Sequence, residues 1–220
     1  MRPAAEIHAY LVEQLNGALR RPGMYGDESA LRLIIRHLTY VEGSDDLGEW
    51  QEAMRAVGAF YSTGVTGAVG LMLPDRPMDV VTSAYAEFAR LHEWLELDRE
   101  LTIEEYGAMR DQLADWCAED RRLHDVTAAF GPPSVLFGGQ NPKYSKTLGY
   151  ATERPSDPMI SFHLWNGSQP DDPETSPEYG EPVLLAARCG NTPFEKCLVY
   201  TPEGARRRPA LPDWYERKHN

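Results

Sequence analysis

The sequence predicts an α+β protein: an N-terminal helical layer of about five helices packed on a C-terminal, mostly antiparallel sheet. Two observations carry this. Up to about residue 130, apolar residues recur at steps of three and four, the period of a helix with one buried face. From Gly131-Pro132-Pro133 onward the chain breaks into short β-rich runs separated by Gly, Pro, Asn and Asp. Helices followed by strands, rather than alternating with them, mark the α+β class. The division places a helical part at residues 1–131 and a β-rich part at 132–220, and 220 residues suit one compact unit.

The elements follow in order. Ile7, Leu11, Leu15 and Ala18 form one stripe that ends at Arg20-Arg21-Pro22-Gly23. Asp27 is the expected N-cap of a second helix with Leu31, Ile34, Leu38 and Val41 inside, stopped by Gly43. A third starts near Ser44 and places Leu47, Trp50, Met54, Val57 and Tyr61 on one face. Residues 64–77 read as either a helix or a loop, because their glycines allow both. Pro77 suits the first turn of a helix carrying Val81, Tyr85, Phe88 and Leu95. Thr102 and Glu105 form a capping-box pattern that opens a long helix through Tyr106, Met109, Leu113, Trp116 and Leu123. The strands are SVLFGG, TLGYAT, MISFHLWNG, PVLLAAR and KCLVYT. In the third, Ile160, Phe162 and Leu164 alternate with Ser161, His163 and Trp165, so its two faces differ chemically. Residues 168–181, acidic and Pro-rich, read as a mobile hairpin loop.

Composition bounds the function. Thirty-four acidic against 22 basic side chains give a net charge of −12. That disfavours nucleic acid, whose binding draws on phosphate neutralisation, and suits a basic protein partner. The sequence has no apolar run long enough to cross a bilayer and no signal-like start, and its three cysteines are too scattered for a disulfide scaffold. A cytoplasmic home without membrane attachment is the expectation.

Several motifs invite chemistry. LRRPGMYGD resembles the RPGMY stretch that opens the ATP-binding domain of type IIA topoisomerases. That resemblance implies a following helix with a metal-binding Glu and, four residues on, an Asn, then an Asp-x-Gly-x-Gly stretch; here the helix reads ALRLIIRHLTYVEG and neither pattern occurs. RPG is then a helix breaker, with Met24 and Tyr25 expected to cover the core. FGGQNPKYSKT departs from a phosphate loop, because Ser145 precedes Lys146-Thr147 and a strand follows. It reads as a hairpin, yet Asn141, Lys143, Tyr144 and Lys146 make a basic, aromatic cluster in an acidic chain. Cys189, Cys197 and His163 lack metal-ligand spacing, so no metal and no cofactor are expected. His163 reads as a hydrogen-bonded structural residue before a catalytic base. Arg206-Arg207-Arg208 is expected at a solvated strand end.

ALRRPGMYGDESALRLIIRHLTYVEG, PPSVLFGGQNPKYSKTLGYA and ISFHLWNG together resemble a group of actinobacterial proteins, either uncharacterised or found as immunity-type partners of secreted toxins. The resemblance spans both halves and implies a binding role without assigning residues.

Two functions follow as expectations. In the first, the chain is a cytoplasmic protein-binding protein of immunity or antitoxin type that inhibits a basic toxin, with Asp171, Asp172, Glu174 and Glu178 as an acidic interface imitating phosphates. In the second, it is a small-molecule enzyme or ligand-binding protein. Its pocket, between helices and sheet, would be lined by Asn141, Lys143, Tyr144, Lys146, His163 and Trp165.

Overall fold

The computed structural model describes residues 3–169, 172–190, 196–212 and 215, and of residues 168, 169 and 172–176 the backbone alone. Eight helices precede the sheet: α1 (Ala4–Arg20), α2 (Pro22–Tyr25), α3 (Glu28–Glu42), α4 (Asp46–Ala56), α5 (Val65–Met72), α6 (Met78–Leu91), α7 (Ile103–Trp116) and α8 (Leu123–Phe130). Strands β1 (Val135–Phe137), β2 (Lys146–Tyr150), β3 (Ile160–Trp165), β6 (Val183–Cys189) and β7 (Leu198–Tyr200) lie side by side in that order, each pair antiparallel. A separate hairpin, β4 (Ser168–Gln169) and β5 (Asp172–Pro177), sits between β3 and β6 in sequence, and a short helix α9 (Pro202–Arg207) follows β7. The α+β class stands. Among the described residues no helix is long and apolar enough to cross a membrane.

Local chemistry sets the element ends. Asp27 caps α3 by accepting the amide of Ser29 at 2.8 Å, and Gly43 closes it at a φ of 73°, which favours glycine. The capping box of α7 is complete, Thr102 Oγ1 accepting the Glu105 amide and Glu105 Oε2 the Thr102 amide. Four expectations change, the first being that α6 ends at Leu91, so Leu95 lies beyond it. Helix α4 stops at Ala56, so Val57 and Tyr61 lie beyond it. The long helix through Leu123 is two helices, broken after Trp116. Arg206 and Arg207 belong to the last turn of α9 rather than to a strand end.

The helices divide between both faces of the sheet. One apolar cluster joins α1 and α3 to α6 with Val135, Phe137, Trp165 and Leu185. The other joins α7 and α8 to Leu148, Tyr150, Ile160, Phe162, Leu164 and Leu184. Strand β3 is consequently buried along its whole length. Its Ile160, Phe162 and Leu164 meet α7 and α8, where Trp116 and Phe130 pack on the Phe162 ring at 5.6 and 5.0 Å. Its Ser161, His163 and Trp165 take the opposite side, toward α6.

Helix α6 is the centre of the molecule, buried from Asp79 to Arg90. Asp79, Ser83, Glu87 and Arg90 recur along it at helical steps and turn a polar stripe toward the sheet's polar face. Asp79 Oδ2 accepts Thr147 Oγ1 at 2.8 Å, Arg188 donates to Ser83, Glu87 Oε1 accepts the Met159 amide at 2.9 Å, and Arg90 donates to carbonyls of the turn after β2. The alternation of β3 thus separates two buried environments, one apolar and one hydrogen-bonded.

Candidate interaction surface

The six residues offered as one ligand site do not converge. Lys146 pairs with Leu164 across the strands and Thr147 with His163, so Lys146 and His163 point to opposite faces of the sheet. Lys146 is 3% exposed, and its ammonium donates to the carbonyls of Gly139 and Asn141 at 3.0 and 2.6 Å. It closes the β1–β2 loop instead of facing a ligand. Asn141 shapes the same loop, its Oδ1 accepting the Lys143 amide and its carbonyl the Tyr144 amide. Lys143 and Tyr144 are exposed on the outside of that loop.

His163 is 1% exposed. Its Nδ1 lies 3.0 Å from Thr147 Oγ1, which also bonds Asp79, and its Nε2 has no hydrogen-bond partner. Burial, reinforced by the Arg188 charge, holds the imidazole well below its ordinary value, so it is neutral. With Asp79 ionised, Thr147 donates to the carboxylate and accepts from Nδ1–H, leaving Nε2 as a bare acceptor. The space between α6 and the sheet, where a pocket was expected, is filled by this chain of side chains.

Burial raises the Asp79 carboxyl from 3.8 to about 6, against the pull of Thr147. The folded protein therefore holds this proton more tightly than the unfolded chain does. Stability contributed by the acid form is present below about pH 4, declines as pH rises, and is lost above about 6. At pH 7.5 the ionised group costs about 3 kcal/mol by this measure. Asp79→Asn is expected to raise stability by about 1–3 kcal/mol at pH 7.5 and to leave it unchanged or lower at pH 4. Urea denaturation at both pH values checks this, and a loss of stability at pH 7.5 would contradict it.

Trp165 is also a packing residue. Its Nε1 donates to Asp75 Oδ2 at 2.9 Å, and the Arg207 guanidinium lies 4.3 Å from its ring. Arg207 in turn binds Glu178, Glu203 and the Tyr179 hydroxyl. Glu178, one of four residues offered as an acidic interface, is thus held by an ion pair and half-buried, not displayed as a phosphate mimic. Asp172 and Glu174 lie on β5 of the hairpin, and Asp171 lies outside the described residues. Cys189 packs against the cluster under α7 and α8 and Cys197 in the cluster under α6, and the Cys189 amide donates to the Cys197 carbonyl at 3.3 Å. Among the described residues no group of three or more His, Cys, Asp or Glu side chains could hold a metal ion.

What the fold does bring together is the two segments the sequence marks as unusual. The Arg20 carbonyl accepts the Gly138 amide at 3.0 Å, and its guanidinium binds Asp98 and the Glu96 carbonyl. This clamp sets helix α2, the PGMY of the RPGMY stretch, beside the start of the β1–β2 loop. Between them lies a groove of about 390 Å³, with residues 21–24 on one wall and 138–140 on the other. Met24 was expected to cover the core, but it is 75% exposed at the groove. Pro22 starts a new helical turn, which carries Met24 outward. Tyr25 is also exposed on one side, and its ring lies against α1 where a Cβ at Gly17 would meet its hydroxyl at 2.3 Å. Gly17 is therefore a docking notch for Tyr25, which fixes α2 in place. Gly23 and Gly139 open to empty space, and with Gly138 they leave stretches of bare backbone in the groove walls.

Comparison of the chain with protein-family models, with curated proteins and with solved structures yields no match.

Proposed function

We propose that this chain is a protein-binding protein of immunity or antitoxin type, which holds a basic partner at the groove between α2 and residues 138–140. One observation carries the reading: Arg20 joins two distant loop segments so that an exposed methionine faces bare glycine backbone in an open groove. Methionine is flexible and polarisable, the usual means by which a surface adapts to a partner's apolar side chain. The exposed Tyr144, 53% accessible on the same loop, offers a rigid aromatic contact. The groove supplies the anchor. The net charge of −12 supplies steering toward a basic partner, an effect on association more than on the strength of the final contact.

Capture of the partner from the producing cell with the full chain, followed by kinetics on the purified pair, tests this. Met24→Asp, and Gly139→Tyr, which fills the groove from a position with open space around it, are each expected to weaken the complex at least tenfold, mainly through faster dissociation. Asp172→Asn with Glu174→Gln is expected to slow association and flatten its salt dependence, with dissociation nearly unchanged. Wild-type binding by both groove variants would remove the groove from the interface.

A further inference from the structure

A second surface, on the far side of the helical layer from the sheet, gathers positive charge that the acidic composition does not lead one to expect. Helix α3 carries Arg32 and Arg36 one turn apart, and Arg55 lies in the last turn of α4. The connector after α4 brings Phe60 beneath them. The Arg32 and Arg55 guanidinium carbons lie 5.5 and 4.8 Å from the centroid of the Phe60 ring. Together with Gly58, Tyr61 and Ser62 they line a cleft of about 370 Å³. A smaller adjoining cleft of about 240 Å³ shares Arg32 and adds Ser29 and Arg36.

The charges here are poorly balanced by the protein itself. Arg32 and Arg36 make no ion pair among the described residues, and Arg32 Nε is buried without a hydrogen-bond partner. Among the described residues Arg55 is paired only with Glu52, a solvent-exposed contact of the kind worth little in water. Glu28, four residues before Arg32 on α3, is a buried carboxylate, but both of its oxygens are engaged by the amides of Val65 and Thr66 and by the Tyr85 hydroxyl. A desolvated guanidinium donor without an acceptor is costly, and an oxyanion in the cleft would satisfy it. The Phe60 ring lies against both guanidinium groups and limits their freedom before any ligand arrives, and a guanidinium offers several donors to an oxyanion at once.

We propose that this cleft is a binding site for a small phosphomonoester. A phosphate group presents three acceptor oxygens and close to two charges at neutral pH, matching two guanidinium groups and a third nearby better than a carboxylate does. The cleft volume falls in the range of small-molecule sites and leaves room for an organic body beyond the phosphate.

Titration of the full chain with phenyl phosphate, benzoate and phenol, followed by calorimetry and by the arginine Nε–H resonances, tests the assignment. Phenyl phosphate is expected to saturate and to shift the Arg32 Nε–H signal, with benzoate at least tenfold weaker and phenol without effect. Inorganic phosphate as a further arm separates recognition of the ester from recognition of the bare ion: comparable binding of the ion would overturn the phosphomonoester assignment. Arg32→Gln and Arg55→Gln are each expected to lower phenyl phosphate affinity at least tenfold. Affinity is also expected to fall as pH drops through the second phosphate ionisation near about 6. The Arg55 side chain is 43% exposed, so its variant is expected to keep the fold and the test stands even where Arg32→Gln perturbs packing. No saturable binding of phenyl phosphate, equal binding of benzoate, or undiminished binding by Arg55→Gln would each overturn the proposal.

Discussion

Glu28→Ala is expected to lower the unfolding free energy by about 3–5 kcal/mol, a loss that few single substitutions reach. Glu28 is buried at the start of α3 and reaches two other helices. Its carboxylate accepts the first amides of α5, Val65 at 2.7 Å and Thr66 at 2.8 Å, and the hydroxyl of Tyr85 on α6 at 2.6 Å. The negative charge also sits at the positive end of the α5 dipole. Removing it strands three donors away from water, each at a cost of roughly 1–3 kcal/mol before relaxation. The surrounding backbone is built for this carboxylate: Gly64 has a φ of 80°, and a Cβ there would lie 2.1 Å from Glu28 Oε1. Glu28→Gln keeps the shape but turns an NH2 group toward a donor, so it is expected to recover less than half of the loss. Urea denaturation measures this as a lower midpoint at unchanged slope. A loss below about 1 kcal/mol for Glu28→Ala would mean that water replaces the carboxylate without penalty.

The sequence makes local features plain and long-range ones obscure. Asp27, Gly43 and the Thr102–Glu105 box end or begin helices through groups within a few residues, so their chemistry is readable in the chain. The five strands of the main sheet are marked by their own residues for the same reason. The alternation in β3 is also readable, but it is ambiguous: a polar face reads as solvent-facing or site-lining until its neighbour is known. The neighbour is α6, and the signal was present in Asp79, Ser83, Glu87 and Arg90, whose spacing repeats the period of a core stripe with polar residues. The sequence places Lys146 and His163 together only through an expected pocket between the helices and the sheet. Only the register of β2 against β3 shows that they occupy opposite faces. The placement of α7 and α8 on the second face leaves no mark in either helix alone, because each shows one apolar stripe whichever side it covers. The groove at Met24 joins segments far apart in sequence, through contacts such as the Gly138 amide on the Arg20 carbonyl and Tyr25 against Gly17, which no local pattern encodes.

The same dependence on distant partners makes Arg90 the second site of large expected effect. Arg90 ends the polar stripe of α6 and is 4% exposed. Its guanidinium donates to three carbonyls of one turn, those of Thr152 at 2.7 Å, Arg154 and Asp157. Within that turn Thr152 Oγ1 also donates to Asp157 Oδ2. One side chain therefore ties the central helix to the connection between β2 and β3, and its charge helps to hold Glu87, whose carboxyl is raised by burial and lowered by Arg188 and Arg90. Arg90→Ala is expected to cost about 3–5 kcal/mol, because it leaves buried carbonyls unpaired and takes one of two compensating charges from Glu87. Arg90→Lys restores the charge without the planar fork that spans three acceptors, so it is expected to recover only part of the loss. Adding Glu87→Gln to Arg90→Ala separates the two causes. If charge imbalance matters, the double variant loses less than the sum of the single losses, by about 0.5–3 kcal/mol. Amide exchange within residues 152–157 is expected to quicken in Arg90→Ala beyond what the global loss of stability explains, since the turn loses its anchor. Strict additivity together with unchanged exchange in that turn would show that Arg90 acts only as buried bulk.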